Sequence, residues 1–331
     1  VLSGAPAASR YGGAPAASVS GNGVLVQRRR SQGIADLVWL DRSGRPAGQV
    51  PTAPGAFYDL ALSSDGKRAA VGRQGAAQAD IWTIQLETGL AARLTVDQAF
   101  CEKPVWSRDG RWIAYSGLER AGRNVYLKRS NGAGQPEVLV RGRTPFTDAA
   151  DWTAGDAELL VRDLHAVTGE DVHVRRIGPD TTLRPLLQSR FHEEDAKLSP
   201  DGRWLAYRSN ESGRPELYVQ SYPVAEARIQ VSRDGAGAQT RSYFGRPFWR
   251  ADGRELVYVG GDGISVLSVP VEYAGGPQFG PARRLFQIPP GCYEMEAVPD
   301  LQRFLVLRQR NSGEDRSIQM LLNWPAELKG K

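Results

Sequence analysis

Apolar and polar positions along this chain alternate in short runs, and the runs recur. The stretch Leu198-Ser199-Pro200-Asp201-Gly202-Arg203-Trp204-Leu205-Ala206-Tyr207 joins a polar turn to an apolar, aromatic run of strand length. In the turn, Ser199 and Asp201 can bond nearby backbone amides, Pro200 presets φ, and Gly202 accepts the left-handed conformation that closes a hairpin. A near-copy occupies 106–115, and looser ones occupy 62–67 and 249–254. Anchored on the turn glycine or its equivalent, the repeats fall at Gly23, Gly66, Gly110, Asp156, Gly202, Gly253 and Leu301. The spacings are 43, 44, 46, 46, 51 and 48 residues.

A period near 45 residues with several short strands per unit predicts a β-propeller of four-stranded antiparallel blades. Helical periodicity is absent, so a helical solenoid does not fit. Each unit reads as an inner strand (Phe57-Tyr58-Asp59-Leu60-Ala61-Leu62), the turn, and a second strand (Trp112-Ile113-Ala114-Tyr115). A third strand opening on an acid or amide (Asp80-Ile81-Trp82, Asn124-Val125-Tyr126, Glu216-Leu217-Tyr218) and a short outer strand complete it. Seven anchors predict seven blades. The last unit carries Arg303-Phe304-Leu305-Val306-Leu307 and Ile318-Gln319-Met320-Leu321-Leu322 but no outer strand, which would leave an exposed edge. Residues 1–4 are expected to supply the missing strand and close the ring.

The length of 331 residues alone suggests about two domains, but stacked repeats share one core and override that prior. Residues 18–324 read as a single propeller and 325–331 as a C-terminal tail. Residues 1–17 form a low-complexity Ala/Gly/Pro/Ser segment, with Gly4-Ala5-Pro6-Ala7-Ala8-Ser9 repeated at 13–18. A start at Val1 without Met is expected of a fragment or processed product.

A hydrophobic fraction of 41% and a charged fraction of 24% are those of an ordinary globular chain, and no apolar run reaches the length of a membrane span. The net charge of +5 is carried mostly by arginine, recurring just after the turn at Arg68, Arg111, Arg203, Arg254 and Arg303. Such spacing spreads charge around the molecule. Nucleic-acid binding needs one concentrated basic face, so it is not expected. Cys101 and Cys292 exclude a disulfide framework and read as free structural thiols.

Catalytic constellations are missing from the sequence. There is no Gly-x-Ser-x-Gly elbow and no phosphate-cradling glycine loop, and His192-Glu193-Glu194-Asp195-Ala196 lacks the second histidine of a zinc-protease helix. What recurs is an aromatic beside a charge in the loops entering the inner strands, which in a propeller ring one mouth of the channel. Tyr58, Phe100, Glu102, Phe146, Asp148, His192, Glu193, Asp195, Tyr243, Arg246, Tyr293 and Glu294 are the candidate ligand or partner contacts. The competing reading packs most of the aromatics between blades and leaves the charges for contact. Glu102, Asp148, Glu194, Asp195 and Glu294 could instead hold a hard cation, though no spacing demands one; no metal or other cofactor is assigned.

The repeat Ser-x-Asp-Gly-x-x-(Ile/Leu)-Ala-Tyr resembles the TolB-type, WD-like propeller repeats of bacterial proteins. The run 198–219, with Gln302-Arg303-Phe304-Leu305-Val306 and Leu322-Asn323-Trp324-Pro325-Ala326-Glu327-Leu328-Lys329, is similar to the C-terminal propeller of bacterial transmembrane serine/threonine kinases. The resemblance covers the chain from about Ser18. It implies a non-catalytic sensor or interaction module that binds a protein, peptide or small ligand, on the outer side of a bacterial membrane. Phosphoryl transfer would belong to an upstream domain, since the kinase motifs do not occur in this chain. The resemblance also implies six blades, against the seven counted. Two other classes remain open: a propeller hydrolase or lyase using channel carboxylates or a metal, and a TolB-like envelope scaffold.

Overall fold

The computed structural model describes residues 17–19, 24–28, 33–75, 78–96, 100–119, 122–142, 144, 146–165, 168–237, 245–310 and 318–322. The chain divides into two compact units, Ala35–Gln309 and Val1–Ile34 with Arg310–Lys331.

Six four-rung blades make up the larger unit, each an antiparallel sheet. Blade 1 runs Phe57–Leu62, Arg68–Gln74, Ala79–Gln85 and Ala91–Arg93, from inner to outer strand. Blade 2 is Cys101–Trp106, Trp112–Glu119, Gly122–Arg129 and Glu137–Val140, and blade 3 is Asp148–Trp152, Glu158–His165, Gly169–Arg176 and Leu183–Leu187. Blade 4 is Glu193–Leu198, Trp204–Ser209, Glu216–Ser221 and Arg228–Gln230. Blade 5 is Phe248–Trp249, Glu255–Val259, Ser265–Tyr273 and Arg283–Gln287, with Pro277–Phe279 folded back on the end of its long third strand. Blade 6 takes its inner strands Cys292–Ala297 and Arg303–Gln309 from the end of the unit, and its outer strands Ala35–Asp41 and Pro46–Gln49 from its beginning.

The expectation of seven blades is therefore corrected to six. Anchoring on turns counted the closing blade twice, once at each end of the chain. Its third strand is Ala35–Asp41, paired in unbroken register from Arg303↔Asp41 to Gln309↔Ala35. Ile318–Leu322, assigned from sequence to that place, pairs instead with Val24–Arg28, which pairs with Ala17–Val19 in a three-stranded sheet of the smaller unit. Residues 1–4 and the Gly23 turn lie outside the described residues, as do 325–331.

The repeated turn is the same local structure six times over. Gly66, Gly110, Asp156, Gly202, Gly253 and Leu301 all have φ between 56° and 72°. In each, the amide of that residue donates to the carbonyl three residues earlier, as in Gly202 to Ser199 at 2.9 Å and Leu301 to Val298 at 2.8 Å. Ser199 Oγ donates to Asp201 at 2.6 Å and accepts from the Trp204 amide at 3.0 Å, so both side chains are consumed in closing the hairpin. A side chain at Gly202 would meet the left-handed strain and the Cβ of Ala154, 2.7 Å away.

Blades lock to their neighbours through the residue ending the inner strand. The indole of Trp106 donates to Ala61 O at 3.2 Å, Trp152 to Val105 O at 3.3 Å, and Trp249 to Lys197 O at 3.4 Å. Arg68, just after its turn, lies over the Trp106 ring at 4.5 Å and donates to Gly110 O at 2.9 Å. Within blade 6, Arg303 lies over the Trp39 ring of the paired strand at 4.7 Å. Part of the arginine excess is thus packing on tryptophans, between blades and within them, rather than a basic face. Neither cysteine is in a disulfide.

Candidate functional site: a charged collar of the inner strands

Neighbouring inner strands pack on one another around the ring, Phe57–Leu62 against both Cys101–Trp106 and Cys292–Ala297, and Asp148–Trp152 against Glu193–Leu198. Five of them carry a register irregularity, the shifts falling at Tyr58, 103–104, Ala150, 195–196 and Tyr293. A bulge puts two residues opposite one and re-aims the side chains beside it. Lys103 and Asp195 adopt left-handed φ of 56° and 58° at these points.

Counting back four residues from the start of each turn gives Asp59, Lys103, Ala149, Asp195, Arg246 and Glu294, a ring of mostly charged groups. Asp59 accepts from the Lys103 amide at 2.7 Å, and its other oxygen lies 3.6 Å from the Lys103 ammonium. Arg246 reaches Glu296 at 4.0 Å. Asp59, Lys103, Arg246, Glu294 and Glu296 together line a narrow pocket with Leu60 and Pro104.

A chain of ion pairs continues around blades 2 to 4. Arg123, on the third strand of blade 2, is 4% exposed and bridges Glu102 to Asp148, the latter at 2.7 Å. Arg162 takes the second oxygen of Asp148 at 2.5 Å and Glu170 at 3.1 Å. Arg208 spans Glu194 at 2.6 Å and Asp195 at 2.9 Å. A Cβ on Gly245 would overlap the Asp195 carboxylate and press on Arg208, so the backbone of that loop is stripped bare where the pair approaches it.

Electrostatics divide the acids into two groups. Burial works against ionising Asp148, but Arg162 and Arg123 outweigh it and hold its carboxyl well below the usual range. Asp195 is lowered in the same way, with Arg208 and Arg246 overcoming burial. Glu194 is pushed up to about 8 by burial first and then by the neighbouring Asp195. Burial and Asp59 push Glu102 up to about 7, against the pull of Arg123. Glu294 is raised by burial despite Lys103.

The candidate contacts separate accordingly. Tyr58 stacks on Phe100, with ring centroids 5.8 Å apart, and its hydroxyl donates to Cys101 O in the next blade. Tyr293 donates to Phe57 O at 2.7 Å across the blade 6 to blade 1 boundary. Glu193 is buried and accepts from Ser189 Oγ at 2.5 Å, tying the loop before blade 4. His192 is exposed beside that loop, its amide held by Asn210 at 3.0 Å, and Phe146 is half-buried before blade 3. Tyr243 lies outside the described residues. Glu102, Asp148, Asp195, Arg246 and Glu294 are the members that join the collar. Asp59, Lys103, Glu194 and Glu296 belong with them, as do Arg123, Arg162 and Arg208 from the second and third strands. Among the described residues no group of three or more His, Cys, Asp or Glu side chains converges as a metal site requires. Of the acids read from sequence as possible cation ligands, Glu102, Asp148, Glu194 and Asp195 are divided among Arg123, Arg162 and Arg208.

The putative TolB of Agrobacterium tumefaciens superposes with a TM-score of 0.64 at 17% identity, over 84% of this chain and 99% of that one. TolB of Acinetobacter baumannii gives 0.57 at 14% identity, over 84% of this chain and 64% of its own. The fold is a TolB-like β-propeller. The periplasmic gluconolactonase of Pseudomonas aeruginosa shares it, with a TM-score of 0.55 at 17% identity over 87% of this chain and 95% of that one. No protein-family model matches the chain.

Proposed function

We propose that this TolB-like propeller is a non-catalytic interaction module that takes a peptide segment or small ligand at the charged collar of its inner strands. The observation that carries the reading is Glu294, which is 5% exposed, lines the pocket, and leaves Oε1 without a hydrogen-bond partner. An unsatisfied buried carboxyl costs stability, and such a group is met by a bound water, an ion or a ligand. Around it, acids and bases are held in place by one another, which gives a polar surface that orients a ligand at little cost in reorganisation. The sensor role within a receptor-type kinase rests on the resemblance of residues 198–219 and 302–306 and is the finer form of this reading.

The test is a displayed library of random peptides panned against the wild-type chain and against Asp59→Lys/Arg246→Glu. A consensus peptide that binds the wild type and not the folded double variant supports the collar as the site. Peptides that bind both equally move the site to another face. A second reading, a propeller hydrolase, draws on Glu194, whose raised carboxyl stands beside Glu170 as a general acid would. Lactone or ester turnover that disappears in Glu194→Gln would favour it over the binding module.

A further inference from the structure

The pocket of Asp59, Leu60, Lys103, Pro104, Arg246, Glu294 and Glu296 has an unmet demand of a particular kind. Its two cations are each set against an acid, Lys103 against Asp59 at 3.6 Å and Arg246 against Glu296 at 4.0 Å. Glu294 is the third acid, and its Oε1 accepts from no protein group. With three carboxylates against two cations, the lining is one negative charge in excess when Glu294 is ionised. A donor carrying positive charge is what would satisfy it.

Size narrows the class. The cavity is about 10 Å³, the room of a single water. An ammonium is a compact point charge with three donors, whereas guanidinium is a broad planar fork. Leu60 and Pro104 add an apolar wall for the methylenes behind an ammonium.

We propose that this pocket receives one primary ammonium group, with Glu294 as its counter-ion. The inference deepens the binding-module reading and rests on it. An amine arriving beside Glu294 favours the ionised carboxylate, so binding releases the share of protons that burial keeps on that group. The groups that face Glu294 in this exchange are Lys103, Asp59, Arg246 and, on its own strand, Glu296.

The probe is n-butylammonium, followed by NMR line broadening on the full chain, with guanidinium, tetramethylammonium and acetate as comparisons. Binding of butylammonium alone is expected, weakened about thirtyfold or more in Glu294→Gln. Calorimetry in two buffers of different ionisation heat should report proton release in the wild type and none in the variant, whose fold is checked by its melting profile. Acetyl-Gly-Lys-Gly-amide and Gly-Gly-Gly-amide then separate a lysine side chain from a chain N-terminus as the source. Equal binding of guanidinium, preference for acetate, or indifference to Glu294→Gln overturns the proposal. If library peptides bind the collar but neither compete with butylammonium nor respond to Glu294→Gln, the ammonium inference falls alone. If neither peptides nor amines bind, both readings fall.

Discussion

The indole N–H of Trp152 donates to the backbone carbonyl of Val105 across the boundary between blades 3 and 2, at 3.3 Å. The same bond joins Trp106 to Ala61 and Trp249 to Lys197, always from the last residue of one inner strand to the residue two before the turn of its neighbour. At these three boundaries the bond ties the ends of adjacent inner strands together. Trp152 is 1% exposed, so the bond is made in a fully desolvated place.

Replacing Trp152 by phenylalanine removes the donor, orphans the Val105 carbonyl and leaves part of the indole volume empty. The expected loss is about 2–4 kcal/mol. Trp249→Phe, at a half-buried site, should cost less than Trp152→Phe. Urea unfolding midpoints at constant slope would measure both, and equal losses would show that the burial difference does not matter.

The turns were legible because Ser-x-Asp-Gly states its conformation locally, and the degenerate Asp156 and Leu301 were found by spacing alone. Their φ of 57° and 56° shows that position, not residue type, imposes the left-handed geometry. Ring closure was not legible, since the pairing of Ala35–Asp41 with Arg303–Gln309 joins segments whose sequences carry no mark of adjacency. The collar was half legible. Its acids and Arg246 stand at fixed offsets from the turns, whereas Arg123, Arg162 and Arg208 arrive from other strands, where an arginine reads as surface. Tyr58 and Tyr293 were ambiguous because one aromatic can face a channel or a neighbouring blade, and here their hydroxyls bond the next inner strand.

Closure by two strands from the start of the unit predicts a sharp truncation boundary. A chain of residues 33–310 retains all six blades and should unfold cooperatively. A chain of 51–310 loses Ala35–Asp41 and Pro46–Gln49, exposing the edge of Arg303–Gln309, whose Phe304, Leu305, Val306 and Leu307 are wholly buried in the intact ring. It should aggregate or lose its cooperative melt. Size-exclusion chromatography with thermal unfolding distinguishes the two outcomes.

Stability should fall as the pH rises from about 5 to about 8.5. Carboxyls of the unfolded chain titrate near 4.3, while burial raises Glu194 to about 8 and Glu102 to about 7 in the folded state. Between those limits the native protein binds more protons than the unfolded one, so each rise in pH favours unfolding. Asp148 and Asp195 act oppositely, because their lowered carboxyls add stability above the unfolded value and lose it as the pH falls below about 4. A maximum on the mildly acidic side follows. Melting temperatures from pH 3 to 9 would trace it, and Glu194→Gln should flatten the alkaline limb while leaving the acid limb in place.

Glu294 sharpens the same argument into a conflict between stability and binding. Its carboxyl is raised by burial, so across the interval above the unfolded carboxyl's value the native state holds more proton there than the unfolded chain and loses stability as the pH rises. Glutamine fills the same space with a neutral group, and the pH-dependent part of that cost disappears. Glu294→Gln should therefore melt higher than the wild type at pH 8, by a margin that narrows as the pH falls toward the carboxyl range of the unfolded chain. The opposite result at pH 8, a destabilised variant, would mean that the Glu294 carboxylate is satisfied in the free protein, through Lys103 or Arg246 drawn closer. Stabilisation at pH 8 would mark Glu294 as a group kept at the expense of the fold, which a purely structural collar has no reason to retain.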